Sequence, residues 1–318
     1  MKKWYTAIVR CLAALLLVCS ITSCESLKEF AGSEEFLLIT SVIAENEVLR
    51  EQVPGFTLIA ESANKVGSMF EEFSPENEYF IGRSVAGSIL NYYTLADTPE
   101  MNRYLTTMAN SLAALCVGVP HPMKGYFVAI LDSPEINAFA TSGGHIFITR
   151  GFVEAMENED QMAAVIAHEM SHIQLKHGLG SIKNSRNWEA VKSVASTGYY
   201  LASDDKEQAK EVLDAFQGSV EAQMDTMMNS GYSKEAEFNA DKHALYIMNA
   251  AGYNIKEMTA MLKLITKSTQ KSTGMGKTHP TPEKRIAKLQ STYKELTAVP
   301  TDEARTARFM RLKKTVTP

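Results

Sequence analysis

The sequence predicts an α-rich α+β fold, on three observations. Most of the chain places apolar residues at helical spacing among charged ones. Only two runs, 125–131 and 145–149, are short and rich in β-branched and aromatic residues, with Gly143 and Gly144 at a turn before the second. The composition, 45% hydrophobic and 22% charged over 318 residues, is that of a globular protein with a substantial core, which excludes disorder, collagen and coiled coil.

In chain order, Lys2, Lys3 and Arg10 accompany an apolar run from Cys11 to Ile21, about half the length that crosses a bilayer, so residues 1–23 read as an export signal. The run ends in Ile21-Thr22-Ser23-Cys24, which resembles a bacterial lipobox and makes Cys24 the expected site of lipid attachment. Acyl chains would anchor the protein to a membrane surface, each buried methylene adding about 0.8 kcal/mol. Residues 24–74 read as a tether and N-terminal helical segment, with Phe36, Ile39, Leu49 and Leu58 at helical spacing and breaks at Gly32, Pro54 and Gly55. Residues 75–300 form the main domain. Two helices are expected across 76–115, parted at Asp97-Thr98-Pro99, and the two strands follow. Helices then cover Gly151 to Met156 and Asp160 to His177, the second closed by His177 with Gly178 beyond it and carrying a core stripe of Met162, Val165, Ile166 and Ile173. The polar stretch beyond is helical, with Trp188, Val191 and Val194 on one side. Ser233 and Thr281-Pro282 mark later helix starts. Residues 301–318, with Arg305, Arg308, Arg311, Lys313 and Lys314, read as a solvated basic tail.

With 32 Lys plus Arg against 37 Asp plus Glu the net charge is -5, and it is more negative without the leader, so nucleic acid is not an expected partner. Cys11 and Cys19 lie in the leader and Cys24 just after it, which leaves Cys116 alone and no intrachain disulfide.

The chemistry concentrates at His168-Glu169-Met170-Ser171-His172. Two imidazoles four residues apart in a helix project from one face about one turn apart and can grip one metal ion, with Glu169 beside it. A catalytic zinc needs a third protein ligand and an open position for water. Glu237 and Asp241, also four apart, share the face of a helix opened by Ser233. One could bind the metal while the other accepts the outer ring N–H of a ligand histidine. Spacing alone leaves Glu235 as an alternative. His177 is rotated off the metal face and is expected to cap the helix end.

These segments, His168-Glu169-x-x-His172, Ser233-x-x-x-Glu237-x-x-Ala240-Asp241 and His279-Pro280-x-x-x-x-Arg285-Ile286, resemble the zinc metalloprotease family of HtpX and the CAAX-prenyl endopeptidases. Asn137-Ala138-Phe139-Ala140, Gly143-Gly144 and Thr149-Arg150-Gly151 are similar to the segment upstream of that family's zinc helix. The similarity runs from about Pro75 to Ala298 and fits the small exported, lipid-anchored branch, because spanning helices are lacking; Lys234 stands where the family usually has Arg.

The resemblance implies a gluzincin-type zincin fold with a small β-sheet beside the zinc helix. It implies one zinc per chain on His168, His172 and Glu237, selecting Glu237 over Glu235, with Glu169 as general base and Asp241 behind a ligand histidine. It implies hydrolysis of unfolded or misfolded cell-envelope proteins, in quality control, by an enzyme facing the periplasm or the outside. It places the second strand at the sheet edge beside zinc, so that Gly144, His145, Ile146 and Phe147 are candidate contacts for a substrate added as a further strand. His279 is a candidate gate over the fourth zinc position or a catalytic oxyanion donor. Arg285 is either a partner for a core acid or a substrate contact. Two rival classes are a catalytically silent, zinc-stabilised chaperone or binding module and a metallohydrolase of non-peptide bonds. A purely structural site has no need of Glu169, which argues against the first.

Overall fold

The computed structural model describes residues 74–116, 119–183, 206–269, 279 and 281–316. The expected leader, Cys24, the tether up to residue 73 and the Trp188, Val191 and Val194 stripe lie outside the described residues.

Helix α1 (Pro75–Ile89) starts with proline in its first turn, and the Ser74 hydroxyl accepts from the Asn77 N–H at 3.3 Å. Helix α2 (Pro99–Ala114) also opens on a proline, behind Thr98, whose side chain makes no cap hydrogen bond. Three strands follow, β1 (Phe127–Leu131), β2 (Ala138–Ala140) and β3 (His145–Thr149), and then helices α3 (Arg150–Ala155), α4 (Glu159–Gln174) and α5 (His177–Lys183). Helix α6 (Lys206–Asp225) runs into a π-helical turn, Thr226–Ser230. Helices α7 (Lys234–Ala250), α8 (Glu257–Thr269), α9 (Pro282–Glu295) and α10 (Glu303–Lys313) complete the described chain. Ser233 caps α7 by accepting from Ala236 N–H at 3.1 Å, and α9 begins at Pro282 behind Thr281, as expected from the sequence.

The sheet has three strands, in the order β1-β3-β2, with β1 parallel and β2 antiparallel to β3. This corrects the expectation that the 145–149 strand is an edge. Both of its edges are paired, because the short β2 segment lies against it in register, Phe139 opposite Phe147. Alternate residues face two apolar layers. Val128, Ile130, Ile146 and Ile148 join α2, α4, α7 and α8 in the larger core. Leu131, Phe139 and Phe147 join Ile81, Val85 and Ile89 of α1 and Leu179 of α5 in the smaller one.

Among the described residues the outer edge of β1 meets only an isolated antiparallel bridge, Leu95 to Leu131, with Ala96 N–H donating to Ile130 O at 2.9 Å, yet the rest of its main chain finds partners. Three α2 side chains one turn apart serve as the partner. Thr106 Oγ1 accepts from Val128 N–H at 3.0 Å and donates to Val128 O at 3.3 Å. Asn102 Oδ1 accepts from Ile130 N–H at 3.1 Å, and Asn110 bonds both the N–H and the carbonyl of Tyr126. At the turn into β3, Gly144 has φ +92, and a Cβ there would lie 2.3 Å from the Gly125 carbonyl oxygen, so glycine is required.

Two further expectations are corrected. Helix α4 stops at Gln174, and Lys176 takes a left-handed φ of 54, so His177 opens α5 instead of capping α4. As far as residue 316, the basic segment that begins at 301 is not a solvated tail. It forms α10, because Phe309 and Val316 bury in the larger core while Arg308 pairs with Glu159 at the start of α4 at 2.8 Å. Among the described residues no helix is long and apolar enough to cross a membrane.

Candidate metal centre

Helix α4 carries His168, Glu169 and His172 and is buried along its whole length, capped by Asn158, whose Oδ1 accepts from Gln161 N–H at 2.8 Å. Burial on all sides gives each side chain a fixed direction. The Nε2 atoms of His168 and His172 face each other at 3.1 Å. Helix α7 crosses α4 and delivers Glu237, fully buried, with Oε2 3.6 Å from His168 Nε2 and Oε1 3.5 Å from His172 Nε2. His279, just before α9, places Nδ1 2.5 Å from Glu237 Oε2. One ligand atom from each of His168, His172, Glu237 and His279 fits within 4.8 Å of the others.

The donor set fits a divalent metal ion. A tetrahedral shell with bonds near 2.0–2.1 Å puts neighbouring donors about 3.3 Å apart, close to these separations. Two imidazole nitrogens aimed at one another need a proton or a cation between them. Glu237 Oε1, though buried, has no hydrogen-bond partner among the described residues. Two nitrogens and a carboxylate oxygen form a set typical of zinc.

Around this cluster the polar groups are ordered by charge. Asp241, one turn beyond Glu237, places Oδ1 3.0 Å from His168 Nδ1. Arg285 grips the same carboxylate, Nε donating to Oδ2 at 2.8 Å and Nη2 to Oδ1 at 2.5 Å. Burial alone would raise the Asp241 pKa, but the guanidinium outweighs it and holds the carboxyl well below its usual range. Burial, then the Arg285 charge, lowers His168, and burial pushes His172 well below the usual histidine value, so both rings are neutral lone-pair donors. Glu237 is raised by burial yet lowered overall, chiefly by His279. Burial and then the Glu237 charge push Glu169 up to about 8, with Arg285 opposing, and Glu169 Oε1 has no partner among the described residues.

A small cleft, about 10 Å³ in volume, opens beside the cluster, lined by Ala138, Phe139 and Ala140 of β2, by Glu169, by Met227 and Tyr232, and by His279. Because Thr141 N–H bonds His145 O and Thr149 N–H bonds Asn137 O, both at 2.9–3.0 Å, the main chain of Phe139 faces β3 while those of Ala138 and Ala140 face outward.

The candidates from the sequence therefore divide. His168, Glu169, His172, Glu237, Asp241 and His279 come together. Gly144 packs on Pro122 and the Gly125 carbonyl, His145 on Phe127 and Tyr79, and Ile146 and Phe147 are buried in the two cores, so none of the four meets the cleft. Their strand is central, which leaves no main chain for a substrate. Arg285 is 1% exposed and paired with Asp241, which is the core-acid partnership that the sequence offered as one of its two roles. Missed were β2, too short for a period-two signal, and Tyr232, whose ring stacks on His172 at 4.3 Å; nothing in its neighbourhood marks it, since it only precedes the α7 cap.

Comparison with known proteins agrees with the resemblance. The beta-barrel assembly-enhancing protease of Yersinia pestis is 21% identical over 282 residues, 87% of this chain. The protein of the same name in Escherichia coli K12 is 24% identical over 213 residues, 66% of this chain. The chain spans 56% and 41% of those relatives' lengths. The Escherichia coli metalloprotease LoiP is 26% identical over 193 residues, 60% of this chain and 70% of its own length. The profile of Peptidase family M48 matches residues 99–293. That span is more than half of the chain and encloses the whole cluster around His168, so the chain belongs to Peptidase family M48.

Proposed function

We propose that the protein is a zinc metalloendopeptidase of the zincin type, acting on unfolded or misfolded proteins of the bacterial cell envelope and held at a membrane by lipid on Cys24. The observation that carries the reading is the convergence of ligand atoms from His168, His172, Glu237 and His279, with one Glu237 oxygen lacking a hydrogen-bond partner among the described residues, next to a cleft lined by Glu169 and His279. His168, His172 and Glu237 would hold the ion. When bound, zinc supplies Lewis-acid polarisation of the carbonyl and makes water more acidic. Glu169 takes the proton of the attacking water and hands it to the departing amine nitrogen, from its place in the wall of the cleft beside the ligand atoms. Asp241, itself fixed by Arg285, keeps the outer nitrogen of His168 hydrogen-bonded and its inner nitrogen aimed at the cluster. An extended peptide lying along β2 would pair with the outward main chain of Ala140 and the Ala138 carbonyl, the Ala138 N–H being taken by Asn137 Oδ1 at 3.0 Å; such pairing reads little sequence and favours chains already unfolded. The names of the two assembly-enhancing relatives support envelope proteins as substrates.

His279 supports a second feature of the same reading. Its ring nitrogen stands among the ligand atoms, 2.5 Å from Glu237, and its side chain lines the cleft, where it excludes water and must swing away for turnover. His279→Ala should keep zinc and show higher basal cleavage. A drop of about a hundredfold with zinc retained would instead make His279 a catalytic donor. The function itself is tested by digesting casein with the zinc-loaded chain: the native protein cleaves and Glu169→Gln does not. Equal cleavage by both, or no cleavage by either, sinks the proposal, and a purely binding role predicts the latter.

A further inference from the structure

His172 differs from His168 in what stands behind it. His168 turns its outer nitrogen to a carboxylate, whereas His172 Nδ1 lies 3.0 Å from Nδ1 of a third imidazole, His177. We infer that His177 is a positioning residue for the metal, accepting the outer N–H of His172 and thereby holding its inner nitrogen free for the ion. The inference rests on the reading that His168, His172 and Glu237 bind a metal.

Proton placement follows from the geometry. A neutral imidazole has one N–H and one lone pair. If His172 offers its Nε2 lone pair to the cluster, its proton sits on Nδ1, and the Nδ1 of His177 must accept it. The proton of His177 is then on its Nε2.

The chain goes out of its way to make this contact. In an unbroken helix a residue five places beyond His172 would be turned about 140° from it. Helix α4 ends instead, and Lys176 adopts φ 54, a conformation that non-glycine residues take only under constraint. Two contacts hold that turn: Lys176 Nζ reaches Glu78 Oε1 at 2.6 Å, and the Lys176 carbonyl accepts the N–H groups of Leu179 and Gly180, each at 3.1 Å. The turn swings His177 back so that its ring meets that of His172 edge-on, 4.9 Å between centroids and 72° between planes. Tyr232 closes the remaining side, stacked on His172 at 21° and leaning over His177 at 5.9 Å. His172 is thus gripped at its rim by one hydrogen bond and on its face by one ring.

The test measures zinc affinity of the full chain by competition with a chromophoric chelator. His177→Phe keeps a ring but cannot accept a hydrogen bond, and should weaken zinc binding about 10- to 100-fold, the usual effect of losing an outer partner of a ligand. His177→Gln offers a carbonyl oxygen and should stay within about threefold of the native chain. The cobalt-substituted His177→Phe chain should also show altered visible absorption bands, with metal-free melting temperatures unchanged. If His177→Phe fails to fold, His177→Ala takes its place. Native affinity in the variant lacking an acceptor, or equal loss in it and in His177→Gln, overturns the inference. Failure of the metal reading looks different: the native chain itself would take up no stoichiometric zinc.

Discussion

Glu169 sits next to His168 in sequence, but only its isolation in the cleft separates its work from that of the ligands. Glu169→Gln should retain about one zinc per chain while turnover falls by several orders of magnitude, because the ligand atoms are untouched. Near-native turnover would remove it from the mechanism. Glu237→Ala should lower zinc occupancy and Glu235→Ala should not, since Glu237 is fully buried against both imidazoles and Glu235 is exposed at the start of α7. The opposite result would move the ligand by half a helical turn. Cys116, a free thiol buried under Leu112, is pushed up to about 12 by burial. At pH 8 it therefore stays a thiol, and iodoacetamide should modify its peptide only after denaturation; rapid labelling of the native chain would contradict its burial.

At the scale of elements, the β1 edge of the sheet is guarded by side chains of α2. Thr106→Val keeps shape but leaves the N–H and carbonyl of Val128 without their partner, which should cost about 1–3 kcal/mol in chemical denaturation. An unchanged midpoint would show that the α2 ladder is dispensable. Helices and caps were legible in the sequence because they depend on neighbours a few residues away: Ser233, Thr281-Pro282 and the 145–149 strand stand where their local patterns put them. Strand order was not legible. Nothing in Ile146-Phe147-Ile148 says whether a three-residue segment elsewhere will cover its second edge, and β2 does so through long-range pairing that leaves no periodic trace in three residues.

Across the whole molecule, the last helix reaches back to the first turn of α4. Arg308 and the Tyr104 and Tyr253 hydroxyls converge on the buried Glu159 carboxylate, and Phe309 is fully buried behind them. Phe309→Ala should therefore cost about 3–5 kcal/mol of stability while zinc stoichiometry is retained. A melting temperature equal to the native one would return residues 301–318 to the status of a solvated tail. At the other end, Cys24→Ala should abolish diacylglycerol attachment, read by mass spectrometry of the processed chain; an unmodified Cys24 in the native protein would end the tether proposal.

What the sequence determined by itself is the histidine pair on one face of a helix and carboxylates four apart on another, spacings that follow from helical geometry, which is local; Glu237 over Glu235, and His279 ahead of a proline-started helix, entered the set through the family resemblance. What only the tertiary structure decided is how the set is served. The Arg285 side chain turns inward to Asp241, the outer place in the sheet falls to β2 and the central one to β3, His177 folds back on His172, and α10 closes on Glu159. Each of these joins groups through packing between elements whose order in space no local pattern encodes, because buried charge and an unpaired strand edge find their partners only when distant segments meet.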